Sequence, residues 1–104
     1  MSPELFDVVE LLVELPDSEI QAGALGTIVE AYGDRAYEIE FSNDEGETLE
    51  MLALTPAQFV VVWKSATKAW VPVGDRLTAL MEKLPEDRQE QVLNFVRSLY
   101  KTPA

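Results

Sequence analysis

The chain has 104 residues, 47% of them apolar and 26% charged, a composition that folds rather than staying disordered. That length allows one domain, or one small barrel with a helical appendage. Cysteine and histidine are both absent, which excludes disulfides, thiolate nucleophiles, Cys/His metal sites and imidazole acid–base chemistry.

The formal charge of −11 is unevenly spread. Residues 1–63 carry fourteen acids against Arg35 alone, a local charge of −13, whereas residues 64–104 carry five acids and seven bases, or +2. So acidic a first segment repels phosphate backbones and argues against nucleic-acid binding. It would attract a basic protein surface or divalent cations. The longest apolar run, Phe59 to Trp63, falls far short of the roughly 18 residues of a membrane span. Glu4 and Asp7 open the chain in place of the basic region of a signal peptide. A cytoplasmic protein without a membrane partner is expected.

In chain order, Glu4 to Leu15 is ambiguous. Leu5, Val8, Val9 and Leu12 fall at i, i+3, i+4 and i+7, a helical period. The order of the elements that follow favours a strand, because four strands would leave an edge unpaired, and the strand is the reading taken. Gly23 to Gly26 signals a turn into the β-prone run Thr27 to Ala31, and Tyr32 to Arg35 is a second turn. Ala36 to Phe41 alternates cleanly, with Tyr37, Ile39 and Phe41 on one face and Glu38 and Glu40 on the other. Period two with acids outward predicts a half-buried antiparallel strand.

Ser42 to Glu47 is a polar hairpin loop, and Thr48 to Leu54 returns as a strand. The apolar Leu52-Ala53-Leu54 makes that strand central, bulged or covered on both faces. Thr55 to Gln58 predicts one helical turn, capped by Thr55 with Pro56 at its first position. Phe59 to Trp63 is a final strand rich in β-branched residues. Residues 64–72 read as a linker. Beyond it, Val73, Leu77, Leu80, Met81 and Leu84 form one apolar helical stripe, and Val92, Phe95, Val96 and Leu99 another. Leu84-Pro85 separates the two helices. A hairpin of about thirty residues is too small to stand alone, so it must dock on the sheet, on a second copy or on a partner.

Two stretches resemble known families. Phe6-Asp7-Val8-Val9-Glu10-Leu11, Gly23-Ala24-Leu25-Gly26-Thr27-Ile28-Val29-Glu30 and Tyr37-Glu38-Ile39-Glu40-Phe41 are similar to domain-of-unknown-function family 4926, small bacterial proteins, over residues 5–63. The resemblance implies an SH3-like barrel and no established activity. The succession of turns and strands, with one 3₁₀ turn before the last strand, matches such a barrel independently. The glycine motif also resembles the KOW element of ribosomal and transcription proteins. That element usually carries basic neighbours, and here they are Glu30, Glu38 and Glu40. Leu84 to Val96 resembles the helical segment of small antitoxin-like proteins, with Leu-Pro, a charged turn and then Gln-Val-Leu-Asn-Phe-Val.

Carboxylates are the only abundant reactive groups. Glu38 and Glu40 project from one strand face about 6.6–7 Å apart, a separation that an inverting glycosidase pair could use. A barrel of this size offers no cleft for a sugar, and a non-catalytic protein is expected. Asp44, Glu45 and Glu47 crowd one loop and are the candidate calcium ligands, although the spacing is not that of an EF-hand. Trp63 and Trp70 flank the linker and mark a junction or an interface.

The expected architecture is therefore mainly β with an α appendage: a five-stranded SH3-like barrel at 1–63, a linker at 64–72 and a helical hairpin at 73–104. The expected function is a non-catalytic acidic protein-binding module, an antitoxin- or immunity-like partner of a basic protein, requiring no cofactor. Glu30, Glu38 and Glu40 would supply charge; Trp63, Trp70, Phe95 and Leu99 would supply apolar contact to that partner or to a second copy in a homodimer. Two alternatives stand beside it, an acidic calcium-binding protein and a structural or assembly subunit.

Overall fold

A computed structural model describes residues 2–101. Six strands, β1 (Val8–Leu11), β2 (Leu25–Tyr32), β3 (Ala36–Ser42), β4 (Thr48–Leu54), β5 (Phe59–Lys64) and β6 (Ala69–Trp70), form one antiparallel sheet. Its order is β4-β3-β2-β1-β5-β6. A single 3₁₀ turn, Pro56–Gln58, precedes β5, and the helices α1 (Val73–Glu82) and α2 (Glu86–Tyr100) follow the sheet. The protein is thus mostly β sheet with two appended helices.

The ambiguous first segment is a strand. Val9 and Leu11 are fully buried and pair with Val61 and Phe59 of β5, while Val8 to Glu10 pair with β2. Pairing on both sides outweighs the helical spacing, because the helix would have to find cover for its apolar stripe elsewhere. β3 follows the alternation in its sequence: Tyr37, Ile39 and Phe41 are buried and Glu38 and Glu40 face the other way. With Ile28, Leu54, Phe59, Val61 and Val71 they make one core, in which the Tyr37 and Phe59 rings meet edge to face at 5.8 Å. β5 is buried on both faces, with Val60 and Val62 at 4% and 1% exposure, and α1 packs against this strand.

Two glycines carry geometry. Gly33 takes φ 70° in the β2–β3 turn, where a side chain would be strained. Gly26 is held by space: a Cβ there would lie 2.6 Å from Ile39 Cγ2 and 3.0 Å from both Glu40 O and Phe41 Cδ1. Gly26→Ala should accordingly cost about 1–3 kcal/mol through overpacking between β2 and β3, read from the denaturation midpoint at unchanged m-value.

One expectation is corrected. The sheet has six strands with β4 and β6 at its ends, one more than the five expected, because the supposed linker supplies β6. Lys64 pairs with Ala69 and Trp63 with Trp70 across a tight hairpin, in which Lys68 takes the left-handed φ of 53°. β4 is an edge strand. Its pairing with β3 shifts register between Phe41 and Ser42, the bulge the sequence left open, while Leu52, Ala53 and Leu54 pair in regular register with Ile39, Glu38 and Tyr37. Of the docking places left open for the helical hairpin, the sheet takes α1 and not α2. α1 is held there by Arg76 Nε donating to Val71 O (3.0 Å) and Lys83 Nζ donating to Pro56 O (2.7 Å). α2 has no buried residue. It extends the molecule to 47 × 33 × 30 Å with a radius of gyration of 15.5 Å, against about 13 Å for a compact chain of this length.

Candidate functional site

The outward face of β2, β3 and β4 gathers the predicted acidic residues. Glu30 lies directly opposite Glu38 in the β2–β3 register, and Glu40, two residues along β3, is opposite Thr27 and Met51. Like charges facing one another across a ladder destabilise the sheet. Glu38 Oε2 is shut from solvent with no hydrogen-bond partner among the described residues. On β4, Met51 is half exposed and Leu49 more so, at 50% and 58%. Met51 and Ala53 sit opposite Glu40 and Glu38, so apolar side chains flank the carboxylates. Leu49 and Met51 were missed in the sequence; the period-two spacing of Leu49, Met51 and Ala53 was the signal that could have found them.

The remaining predicted contact residues lie elsewhere. Trp63 and Trp70 are cross-strand neighbours in the β5–β6 hairpin, at the opposite end of the sheet order from β4. Trp70 is 60% exposed, and Trp63 is half-buried. Phe95 and Leu99 stand on α2, 65% and 59% exposed. The seven residues therefore form three separate groups: an acidic sheet face, a tryptophan pair and an apolar helix face.

Asp44, Glu45 and Glu47 lie in the loop between β3 and β4. Asn43 organises their loop: its Oδ1 accepts from the backbone N–H of Glu45 (3.0 Å) and Glu47 (2.9 Å), and its Nδ2 donates to Glu47 Oε1 (3.1 Å). The loop is thus a self-satisfied hairpin turn. Among the described residues, no three acidic side chains are placed to hold a metal ion.

The most ordered charged cluster is one the sequence did not reveal. Asp7, fully buried, accepts from Lys64 Nζ (2.7 Å), Ser65 N (2.8 Å), Ser65 Oγ (3.1 Å) and Glu4 N (2.9 Å). Lys64 Nζ also contacts Glu4 at 2.9 Å. The preceding Phe6 takes φ 69°, a conformation that a bulky residue adopts only when its surroundings hold it there. Burial pushes the Asp7 carboxyl up, but the hydrogen bonds from Lys64, Ser65 and Glu4 outweigh it, and the group sits below its ordinary value. Burial likewise disfavours the Lys64 ammonium, yet its bonds to Asp7 and Glu4 raise its pKa. With every acceptor position used, this cluster pins the N-terminal segment to β5.

Two clefts indent the surface. One, of about 430 Å³, lies between α1, the 3₁₀ turn and β5, with Phe59, Val60 and Val71 at its walls and Asp75, Glu82 and Lys83 at its rim. The other, about 240 Å³, lies beneath the β1–β2 loop, where Ser18 Oγ donates to Glu50 Oε2. Neither is lined by Glu38 or Glu40.

An antiparallel sheet with an open acidic face and appended helices defines the class structurally. Residues 5–61 match the family model described as Domain of unknown function (DUF4926), and the chain belongs to that family. No curated protein and no solved structure matches the chain. No helix among the described residues is long and apolar enough to cross a membrane.

Proposed function

We propose that the protein is a non-catalytic, acidic protein-binding module, an antitoxin- or immunity-like neutralising partner of a basic protein. The observation that carries this reading is the row of Glu38, Glu30 opposite it and Glu40 beside it on one sheet face, with Glu38 Oε2 lacking a hydrogen-bond partner among the described residues. A sequence that keeps like charges in register gives up stability within the chain. A lysine or arginine from outside would relieve the repulsion and supply the missing donor. Leu49 and Met51 provide apolar contact around those charges, the arrangement of a binding face with an electrostatic centre. The strand order β4-β3-β2-β1-β5 with a 3₁₀ turn before β5 supports an SH3-like barrel as the underlying fold, with β6 as an addition. A cytoplasmic setting accords with a chain that contains no cysteine.

Affinity capture with the tagged full-length chain, followed by kinetics on the purified partner, tests the reading. A basic protein should bind with an on-rate that falls steeply with salt. The pair Glu38→Lys and Glu40→Lys should slow association about tenfold or more. The same substitutions should leave the melting temperature unchanged or slightly raised, since Glu38→Lys turns the like-charge pair with Glu30 into an opposite-charge pair and Glu40 faces only Thr27 and Met51. A partner indifferent to both salt and charge reversal sinks the proposal.

A further inference from the structure

α2 carries an apolar surface without a partner and a charge pattern that names one. Leu93, Phe95, Leu99 and Tyr100 are 47%, 65%, 59% and 87% exposed, and no residue of this fifteen-residue helix is buried. A helix of that length without tertiary cover is marginal in water. α2 touches the rest of the chain near its start, where Gln89 Nε2 donates to Met81 O at 2.8 Å. The occupant of its apolar stripe is indicated by Glu86, Glu90, Arg97 and Lys101. Spaced i, i+4, i+11 and i+15, these four line one flank of the helix beside Leu93 and Tyr100. The acids lie in the first half and the bases in the second. None of them is in an ion pair within the chain among the described residues, where Lys64 makes both salt bridges.

We propose that α2 pairs antiparallel with α2 of a second copy about a two-fold axis near Leu93 and Asn94. In a symmetric antiparallel pair, each flank meets the same flank of the other helix, whereas in a parallel pair it meets the opposite one. The axis sets Glu86 against the partner's Lys101, Glu90 against the partner's Arg97 and Val92 against the partner's Phe95. A parallel pairing would set this charged flank against the opposite flank of the other helix and leave the four charges without these partners. The rest of the molecule reinforces the choice of surface. Residues 1–63 carry −13 and repel their own copy, whereas residues 73–101 hold five acids and five bases, so two chains approach at low electrostatic cost only through the helices. Complementing the helix dipole explains acids at the start and bases at the end of α2. It does not explain why four of the six charges over 86–101, all but Asp87 and Arg88, share one flank beside an exposed apolar stripe.

Sedimentation of the full-length chain across a concentration series is the test, with helicity followed by circular dichroism. The expected species has twice the 11.6 kDa of one chain. Arg97→Glu with Lys101→Glu, or Glu86→Lys with Glu90→Lys, should each weaken the dimer about tenfold or more, and combining all four should restore it. Since the chain has no cysteine of its own, Leu93→Cys should cross-link two copies on oxidation and Tyr100→Cys should not. That second measurement stands even if the fourfold variant frays. A monomer at every concentration, a dimer insensitive to both charge pairs, or cross-linking through Tyr100→Cys in place of Leu93→Cys would each overturn the proposal. So would a monomer that gains its α2 contact only on lipid vesicles or on a different protein.

Discussion

Replacing Asp7 by alanine lowers the unfolding free energy by about 3–5 kcal/mol, the cost of breaking a buried ion pair by removing one member. The loss is large because four donors converge on one fully buried carboxylate, and alanine leaves the Ser65 N–H without its partner and the Lys64 ammonium with only Glu4 and the Ser2 carbonyl. Chemical denaturation at neutral pH measures it, and its pH dependence identifies its origin. The Asp7 carboxyl is lowered from its ordinary 3.8 in the folded state. Its contribution is therefore present above about pH 4 and is lost as pH falls through the folded value. Lys64 is raised from 10.5, so its contribution holds below that pH and is lost as pH rises through the folded value. The difference between the wild type and Asp7→Ala should accordingly be greatest in the neutral range and shrink in strong acid. A difference that is flat with pH, or below about 1 kcal/mol, the range of a surface pair, would mean that the cluster is not a buried ion pair.

Phe59→Ala is the second large effect, expected at about 3–5 kcal/mol. Phe59 is 1% exposed and pairs opposite Leu11 in the β1–β5 register, with its ring edge-on to Tyr37. Truncation opens a cavity where the first and last long strands meet. A domain of this size has a total stability of only about 5–15 kcal/mol, so the variant should be largely unfolded on mild heating. Phe59→Leu keeps most of the volume and should lose much less. Equal losses in the two variants would show that packing volume is not what this position supplies.

These two residues differ in how far their roles could be foreseen. Phe59 lies in a β-branched run that reads as a strand, and β3 announces itself by strict alternation. Both signals are local, written within a few residues. β1 was recoverable only from the order of the later elements, since its own spacing favoured a helix. Asp7 was hidden for the same reason. A helical register would set it with Glu4, Glu10 and Glu14 on a face away from Leu5, Val9 and Leu12, and its partner Lys64 falls in the stretch that reads as a linker. That linker in turn concealed β6, two residues long and flanked by turn-forming residues. Amphipathic spacing located both helices to within a few residues of their ends, but it reports only that a face is apolar, and α2 proved to lie off the sheet. At the acidic face, the alternation of β3 identified Glu38 and Glu40. The register that sets Glu30 opposite Glu38, across a shift between Ile28 and Glu30, depends on strand pairing and appears only in three dimensions.

The pairing of β1 with β5 also sets a timetable for the nascent chain. Leu11 finds Phe59 and Val8 finds Trp63, so β1 must wait for some fifty residues to be made before its second neighbour exists. At about 5–20 residues per second, that is a delay of roughly 3–10 s. Through that interval the hairpins of β2 to β4 can form, but the core stays open along the edge that β5 will occupy, and Asp7 has no ammonium to meet. Closing so distant a contact also carries a large loop-entropy cost and places folding toward the slower end of the range for small domains. The strongly negative first segment then acts as a safeguard, since unfinished chains emerging close together repel one another until β5 arrives.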